Sequence, residues 1–168
     1  LPEWLKQGGN LKGWYQLISE MNRSRLGSVL VWGPTGCGKT MGIKDCAYEC
    51  GLRIFEIEPS MLDSTYNLKK WVLNITSSKT LLGPRAVLID IIEGFDESYI
   101  HTFEQILQNN MTFTIPVIFV ADSLYNFPLK KLFALIPTKI RLFNVTSERC
   151  AQFAKLTFAS GAPFDIIL

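Results

Sequence analysis

The sequence predicts an α/β fold with three layers, in which helices cover both faces of a five-stranded parallel sheet. β-prone segments alternate with segments of helical periodicity, which is the order of parallel strands joined by crossover helices. A glycine-rich loop at 33–40 stands between the first strand and a helix, the context of a phosphate-binding loop. A chain of 168 residues without repeats or low-complexity linkers fits a single domain.

The elements around the loop follow from hydrophobic spacing. Asn10 can cap a first helix, whose apolar residues recur at helical spacing. The apolar, β-prone segment from Ser28 to Trp32 predicts the first strand. Met41 to Cys50 is predicted to be a helix that ends at Gly51. The inward face of the first helix is predicted to hold Leu11, Trp14, Tyr15, Ile18 and Met21.

Four further strands are predicted, each separated from the next by a helix. They are Arg53–Ile57, Ala86–Asp90, Ile115–Ala121 and Lys139–Val145. The uninterrupted apolar run of the third strand predicts burial on both faces of the sheet. One intervening helix, capped by Asp63 or Ser64, has the apolar set Leu68, Trp71, Val72 and Ile75, and the next has Tyr99, Ile100, Phe103, Ile106 and Leu107. A short basic helix is predicted around Leu129 to Leu135, and Thr146 or Ser147 can cap a last helix.

The segment from Gly33 to Thr40 fits G-x-x-x-x-G-K-[ST] at every defined position. Glycines let such a loop curl so that its N–H groups point at phosphate oxygens, and the helix start adds its positive dipole end. Lys39 can reach the β- and γ-phosphates, and the Thr40 hydroxyl can hold Mg²⁺. The alternative is a chance glycine loop. The predicted nucleotide-binding residues are Gly33, Pro34, Thr35, Gly36, Cys37, Gly38, Lys39, Thr40 and Met41.

Asp90 ends the third apolar strand and is predicted to hold Mg²⁺ together with Thr40; an ordinary turn residue is the alternative. Many ATPases place a Glu directly after this acid, where it polarises the attacking water. Here that position is Ile91, which can neither accept a proton nor orient water. Glu93 could substitute for it, but a surface loop acid is the interpretation that we favour. The predicted catalytic set is therefore Lys39, Asp90 and Glu93, and the sequence argues for ATP binding more firmly than for hydrolysis.

Asp122 and Ser123 follow the fourth strand, which the usual strand order places beside the third. A polar side chain at that position could sense the γ-phosphate or the attacking water. A turn cap is the alternative, and both remain open.

The charge balance neither demands nor excludes a nucleic-acid partner. The chain has 17 basic and 15 acidic residues, for a net charge of +2. Lys69, Lys70, Lys130 and Lys131 are candidates for a DNA or partner patch, and solvated helix faces are the alternative. No apolar run approaches the roughly 18 residues of a membrane span, so we expect no membrane partner.

The four cysteines form no C-x-x-C pair. Cys46 and Cys50 share a helix face and could contact a metal. Buried thiols in a reducing compartment are the interpretation that we favour for them.

The chain resembles the AAA+ P-loop ATPases of the clamp-loader group, and within it the large subunits of replication factor C and of the checkpoint clamp loader. The resemblance lies in the Walker A segment 31–40, the second strand and its exit at 51–60, the Walker B segment 87–95 and the sensor-1 strand 116–124. It covers roughly residues 10 to 165.

This resemblance implies an ATP- or ADP-binding domain with Mg²⁺, in which Asp122 takes the sensor-1 position. It implies other AAA+ subunits in a hetero-oligomer, with a sliding clamp and DNA as possible partners in replication or repair. It also implies an intracellular location, in the nucleus of a eukaryote, or in the host nucleus or cytoplasm for a viral protein. An interaction scaffold stabilised by bound nucleotide and an unrelated P-loop motor are the alternatives.

Several departures from the family pattern bear on function. Asp122 replaces the usual Asn, Thr or Ser, and a carboxylate repels a γ-phosphate unless it is protonated or paired. The segment 136–139, Ile-Pro-Thr-Lys, offers no arginine finger to a neighbouring subunit. The predicted organisation is an N-terminal helix and lead-in at 1–27, an AAA+ domain at 28–165, and the start of a missing helical lid or tail at 166–168.

Overall fold

The structure is a computed structural model that describes residues 1, 5–6, 9–22, 27–61, 65–77, 83–109, 113, 115–144, 146–148 and 151. Several predictions lie outside the described residues: the cap at Asp63 or Ser64, the body of the last helix, and the tail at 166–168. The side chains of Trp71 and Ile75 also lie outside it.

Strands and helices alternate along the described chain, as predicted. The strands are β1 (Ser28–Trp32), β2 (Arg53–Ile57), β3 (Arg85–Ile89), β4 (Val117–Ala121) and β5 (Thr138–Arg141). The helices are α1 (Leu11–Met21), α2 (Lys39–Glu49), α3 (Thr65–Ser77), α4 (Glu97–Gln108) and α5 (Lys130–Leu135). Short 3₁₀ turns lie at Pro59–Met61, Ile92–Gly94 and Phe127–Leu129.

The five strands form one parallel sheet in the order β2-β3-β4-β1-β5. The central strand is β4, which lies between β3 and β1, and β1 pairs on its other side with β5. Because all strands run the same way, the residues that follow β1, β3 and β4 meet at one edge of the sheet. That edge brings the glycine loop, Asp90 and Asp122 together.

Two hydrophobic layers cover the sheet, one on each face. On one face α3, α4 and α5 pack on side chains such as Leu30, Val87 and Phe119. On the other face α1 and α2 pack on Val29, Val31 and Leu88. The third and fourth strands are buried along their whole length, as predicted for strands covered on both faces. The architecture is therefore the predicted three-layer α/β fold with a five-stranded parallel sheet.

The predicted faces and bounds need a few corrections. Tyr15 is 55% exposed and does not belong to the inward face of α1, whose buried residues are Trp14, Leu17 and Met21. The loop helix begins at Lys39, two residues earlier than predicted, and β5 ends at Arg141. In the part of the chain that the structure describes, every helix is too short or too polar to cross a membrane.

Candidate nucleotide site

The loop between β1 and α2 is shaped by glycines at the positions where the backbone turns. Gly36 and Gly38 have φ of +79° and +86°, which side chains with a Cβ rarely adopt. Gly33 extends the sheet, since its N–H donates to Ala121 O at 3.2 Å. A Cβ at Gly33 would overlap the carbonyl oxygen of Leu142. The loop thus places the start of α2 at the edge of the sheet. The first turn of α2 has no acidic residue that would repel a bound anion.

The ammonium of Lys39 is buried at the base of the loop, with the residue only 8% exposed. It donates to Gly33 O at 2.7 Å and to Pro34 O at 3.0 Å, and it pairs with Asp122 Oδ1 at 2.7 Å. The two carbonyls hold the lysine against its own loop, which aims the charge at the cavity.

Thr40 and Asp90 form the second part of the site. The Thr40 hydroxyl donates to Asp90 Oδ2 at 2.8 Å, and the N–H of Ile91 donates to Asp90 Oδ1 at 3.0 Å. A hydroxyl and a carboxylate are hard oxygen ligands, which suit Mg²⁺. The described part of the chain holds no group of three or more His, Cys, Asp or Glu side chains arranged for a metal ion. An ion here would therefore complete its shell with phosphate oxygens and water.

Ile91, which stands where a catalytic Glu is common, is in the left-handed conformation with φ 50° and ψ 58°. Among the described residues it is the only one other than glycine with positive φ. Its side chain is 61% exposed, so packing does not explain the strain of a β-branched residue in this region. The conformation begins the 3₁₀ turn Ile92–Gly94.

Glu93 is turned toward the site, so the surface role favoured from the sequence is wrong. Its Oε1 accepts the backbone N–H of Asp122 at 2.6 Å and that of Ser123 at 3.4 Å. Its Oε2 is buried and has no hydrogen-bond partner among the described residues. Glu93 therefore ties the turn after β3 to the end of β4.

Asp122 lies across the loop from this turn, and its carboxylate joins two loop residues. Oδ1 accepts from Lys39, and Oδ2 accepts the hydroxyl of Thr35 at 2.9 Å. The hydrogen bond from Lys39 holds the pKa of Asp122 below its usual range, and Thr35 adds to this effect while partial burial opposes it. The side chain is thus an anion fixed on the loop, not an isolated turn cap.

These residues surround a cavity of about 310 Å³. Most of the predicted site lines it: Thr35, Gly36, Gly38, Lys39, Thr40, Met41, Asp90, Glu93 and Asp122. Gly33, Pro34 and Cys37 do not, since Gly33 continues the sheet and the Cys37 side chain is buried in the core of the α1–α2 face. A larger cavity of about 680 Å³ lies beside α4 and the turn Phe127–Leu129, and Glu93 borders both. The smaller cavity is the candidate site because it contains the loop.

The three thiols that the structure describes are protonated at neutral pH. Burial raises the pKa of Cys46 to about 12 and also raises the pKa values of Cys37 and Cys50. Cys37 and Cys46 are buried and Cys50 is partly buried, all as free thiols. This matches the interpretation of these cysteines as buried thiols.

The basic residues proposed for a patch lie apart from the cavity. Lys69 and Lys70 on α3 and Lys130 on α5 are exposed, and Lys131 pairs with Glu104 at 2.9 Å. The guanidinium of Arg141 lies 4.9 Å from the ring centre of Trp32 and 4.8 Å from that of Phe143.

Solved structures share this fold. The RuvB Holliday junction branch migration motor of Thermotoga maritima superposes with a TM-score of 0.65 at 17% identity, over 92% of this chain and 52% of that one. The Aeropyrum pernix ORC1 protein, solved in complex with DNA, superposes with a TM-score of 0.60 at 10% identity, over 91% and 50%. At these identities the likeness establishes the fold alone, and the chain spans about half the length of each.

Curated relatives match a shorter stretch. The outer mitochondrial transmembrane helix translocase of Xenopus tropicalis is 41% identical over 69 residues, and that of Homo sapiens is 39% identical over 69. The match covers 40% of this chain and 19% of each relative, so the chain matches about a fifth of their length. These relatives contradict the predicted location in a nucleus or in a host cell's nucleus or cytoplasm, because their names place them at the outer mitochondrial membrane.

The model of the ATPase family associated with various cellular activities, AAA, matches residues 29–126. This stretch runs from β1 to the turn after β4 and includes the glycine loop, Asp90, Glu93 and Asp122. Membership implies nucleotide binding, while the narrower clamp-loader assignment stays a prediction. Since the match covers more than half of the sequence, the chain belongs to the AAA family of ATPases.

Proposed function

We propose that this chain binds a magnesium complex of ATP or ADP in the 310 Å³ cavity and hydrolyses ATP slowly or not at all. The convergence of Lys39, Thr40 and Asp90 on one cavity supports the binding part. The exposed Ile91 at the position of the usual catalytic Glu supports slow hydrolysis.

Phosphate and metal would be held by different groups. The loop N–H groups and Lys39 would bind the phosphates. Thr40 and Asp90 would hold Mg²⁺, which supplies charge neutralisation at the phosphate oxygens. Their mutual hydrogen bond of 2.8 Å places the two oxygens close enough to serve one ion.

Glu93 is the remaining candidate for orienting an attacking water. Its Oε1 is committed to the N–H groups of Asp122 and Ser123, and its Oε2 is buried. Before this carboxylate can accept a proton, either water must reach the buried Oε2 or Oε1 must leave the two N–H groups. We therefore expect a slow chemical step even with nucleotide bound.

Calorimetric titration with Mg-ATP and Mg-ADP tests the binding part. Lys39→Ala should abolish measurable binding, because the buried ammonium is lost. Lys44→Ala is a matched control, since Lys44 lies on the same helix but pairs with Glu56 at 2.7 Å outside the cavity. Equal binding by Lys39→Ala and the parent chain would refute the proposed site.

Single-turnover measurements test the chemistry. We expect a rate well below the roughly 1–10³ s⁻¹ of typical enzymes. Glu93→Gln should remove whatever hydrolysis remains, and Glu97→Gln, at an exposed acid of α4, should not change it. A measurable rate that is unaffected by Glu93→Gln would exclude Glu93 from catalysis. The absence of any hydrolysis in the parent chain would instead favour a scaffold that uses nucleotide only as a structural ligand.

We further propose that the chain works as one subunit of a hetero-oligomer acting on DNA, as clamp-loader subunits do. The folds of RuvB and ORC1 and the exposed Lys69, Lys70 and Lys130 support this proposal. Arg141 is stacked on two rings, and 136–139 has no arginine, so neither offers an arginine finger to the site of a neighbouring subunit. DNA affinity that falls steeply with salt, and falls further in a Lys69→Ala/Lys70→Ala variant, is the expected result.

Work on a protein substrate is the second candidate, favoured by the 39–41% identity to transmembrane helix translocases. The two candidates differ in what stimulates the nucleotide cycle. Duplex DNA should accelerate nucleotide turnover or exchange in the first case. An apolar helical peptide should do so in the second, at salt concentrations that abolish DNA binding.

A further inference from the structure

Every hydrogen of the Lys39 ammonium has an acceptor in this structure. Two are used by the carbonyl oxygens of Gly33 and Pro34, at 2.7 and 3.0 Å, and the third by Asp122 Oδ1 at 2.7 Å. An ammonium has three donors, so its capacity is full. Asp122 therefore takes the lysine contact that a phosphate oxygen would use.

The carboxylate of Asp122 is fixed from several sides. Its Oδ2 accepts the Thr35 hydroxyl at 2.9 Å, and the backbone N–H of Asp122 donates to Glu93 Oε1 at 2.6 Å. The hydrogen bond from Lys39 lowers the pKa of this carboxyl, so the group is an anion at neutral pH. Half of the side chain, 51%, is nevertheless exposed, and Asp122 lines the cavity.

The position of this anion matters differently for the two nucleotides. In a phosphate-binding loop the backbone N–H groups cradle the inner phosphates, while the lysine reaches outward to the β- and γ-phosphates. A γ-phosphate that reached Lys39 would lie beside Asp122, because Lys39 Nζ is 2.7 Å from Asp122 Oδ1 and Thr35 fixes the other carboxylate oxygen. Two like charges brought together in a partly buried site repel each other. A diphosphate has no γ-phosphate to bring beside this carboxylate.

We propose that Asp122 makes the site select nucleoside diphosphates over nucleoside triphosphates. The inference rests on the proposed function, since it assumes that the loop binds nucleotide. Beyond that function, we infer that the hydrogen bond from Lys39 to Asp122 and the negative charge of Asp122 determine which nucleotide binds more tightly.

The experiment is a calorimetric titration of the full chain with Mg-ADP and with the magnesium complex of a non-hydrolysable ATP analogue. We expect ADP to bind at least about tenfold more tightly than the analogue. Asp122→Asn keeps the shape of the side chain and removes its charge. It should lower the ratio of the analogue's dissociation constant to that of ADP about tenfold or more, mainly because the analogue binds more tightly. Asp122→Ser is a second variant that removes the charge with a smaller side chain, and it should act in the same direction.

Asp96→Asn is the matched control, because it removes one negative charge at an exposed residue that precedes α4 and does not line this cavity. It should leave the ratio unchanged. A parent chain that binds the analogue as tightly as ADP would overturn the inference. So would Asp122 variants that tighten both nucleotides equally, since the carboxylate would then compete with any phosphate. Failure of the parent chain to bind either nucleotide would overturn the proposed function itself, which is a different result.

Discussion

Gly42→Ala is expected to destabilise the protein, although alanine is the better helix former. Gly42 lies in α2 two residues after Thr40, where α2 crosses the buried ring of Trp14 in α1. A Cβ at position 42 would stand 2.6 Å from Cζ2 of Trp14 and 2.9 Å from its Cζ3. No real Cβ tolerates such distances, so the ring or the helix must shift. Because Gly42 has no side chain, α2 can pack closely against Trp14 of α1.

The magnitude follows from two opposing effects. Overpacking of a core costs about 1–3 kcal/mol, and the higher helix propensity of alanine returns up to about 1 kcal/mol. We expect a net loss of about 1–2 kcal/mol in the free energy of unfolding, which lowers the melting temperature of a chain of this size by about 2–8 °C. Because Gly42 is close to Thr40, nucleotide affinity should fall as well.

Chemical denaturation of a double-mutant cycle tests the cause. Trp14→Phe shortens the ring that a Cβ at position 42 would strike. It should cost at least about 1 kcal/mol less in the Gly42→Ala background than in the parent chain. Gln105→Ala, at an exposed position of α4, is a control that should stay within about 0.5 kcal/mol. A neutral Gly42→Ala, or effects that add without coupling, would refute the steric argument.

Three further predictions concern single residues outside the phosphate contacts. Ile91→Asn should raise the free energy of unfolding by about 0.5–1 kcal/mol, because asparagine tolerates the left-handed conformation, whereas Ile91→Val should give no gain in the same denaturation assay. Asn10→Ala should lower the free energy of unfolding by about 1–3 kcal/mol, because the Asn10 side chain accepts from the N–H of Phe143 at 2.7 Å and donates to its C=O at 2.9 Å. An unchanged denaturation midpoint would show that these two hydrogen bonds do not stabilise the fold. The pKa of the Cys46 thiol is raised from 9.0 to about 12, so the protein should lose stability as pH rises through this interval, and Cys46→Ala should reduce that loss in denaturation series at pH 8 and above.

The fold could be predicted because the segments with apolar, β-prone sequences are the ones that form the strands of the sheet. Ser28–Trp32 and Arg53–Ile57 have the predicted bounds, since each apolar run is closed by glycine or proline within two residues. Tyr15 shows what the spacing of apolar residues in a helix cannot determine. One residue after Trp14 lies about 100° around a helix, at the border of the apolar stripe, and spacing alone cannot decide on which side it falls. The structure places it in solvent and puts Leu17 at the centre.

The site could be predicted only where the motif fixes the backbone. Lys39 and Thr40 follow the glycine loop at set positions, and Asp90 ends a buried strand, so their meeting follows from strand order. The position of Glu93 could not be predicted, because hydrophobic periodicity says nothing about the path of a turn. The left-handed Ile91 begins that turn, and the Glu93 carboxylate then reaches the N–H of Asp122.

The departures from an ordinary ATPase site lie on one side of the cavity. The parts that, on the proposed function, would hold an inner phosphate and a metal are the usual ones: a glycine loop, Lys39, Thr40 and Asp90. The parts that would meet a γ-phosphate or its attacking water are all altered. Ile91 offers no base, Glu93 is bonded to backbone N–H groups, and Asp122 places an anion on the lysine. This pattern agrees with the proposed function, in which the site binds nucleotide and hydrolyses it slowly or not at all.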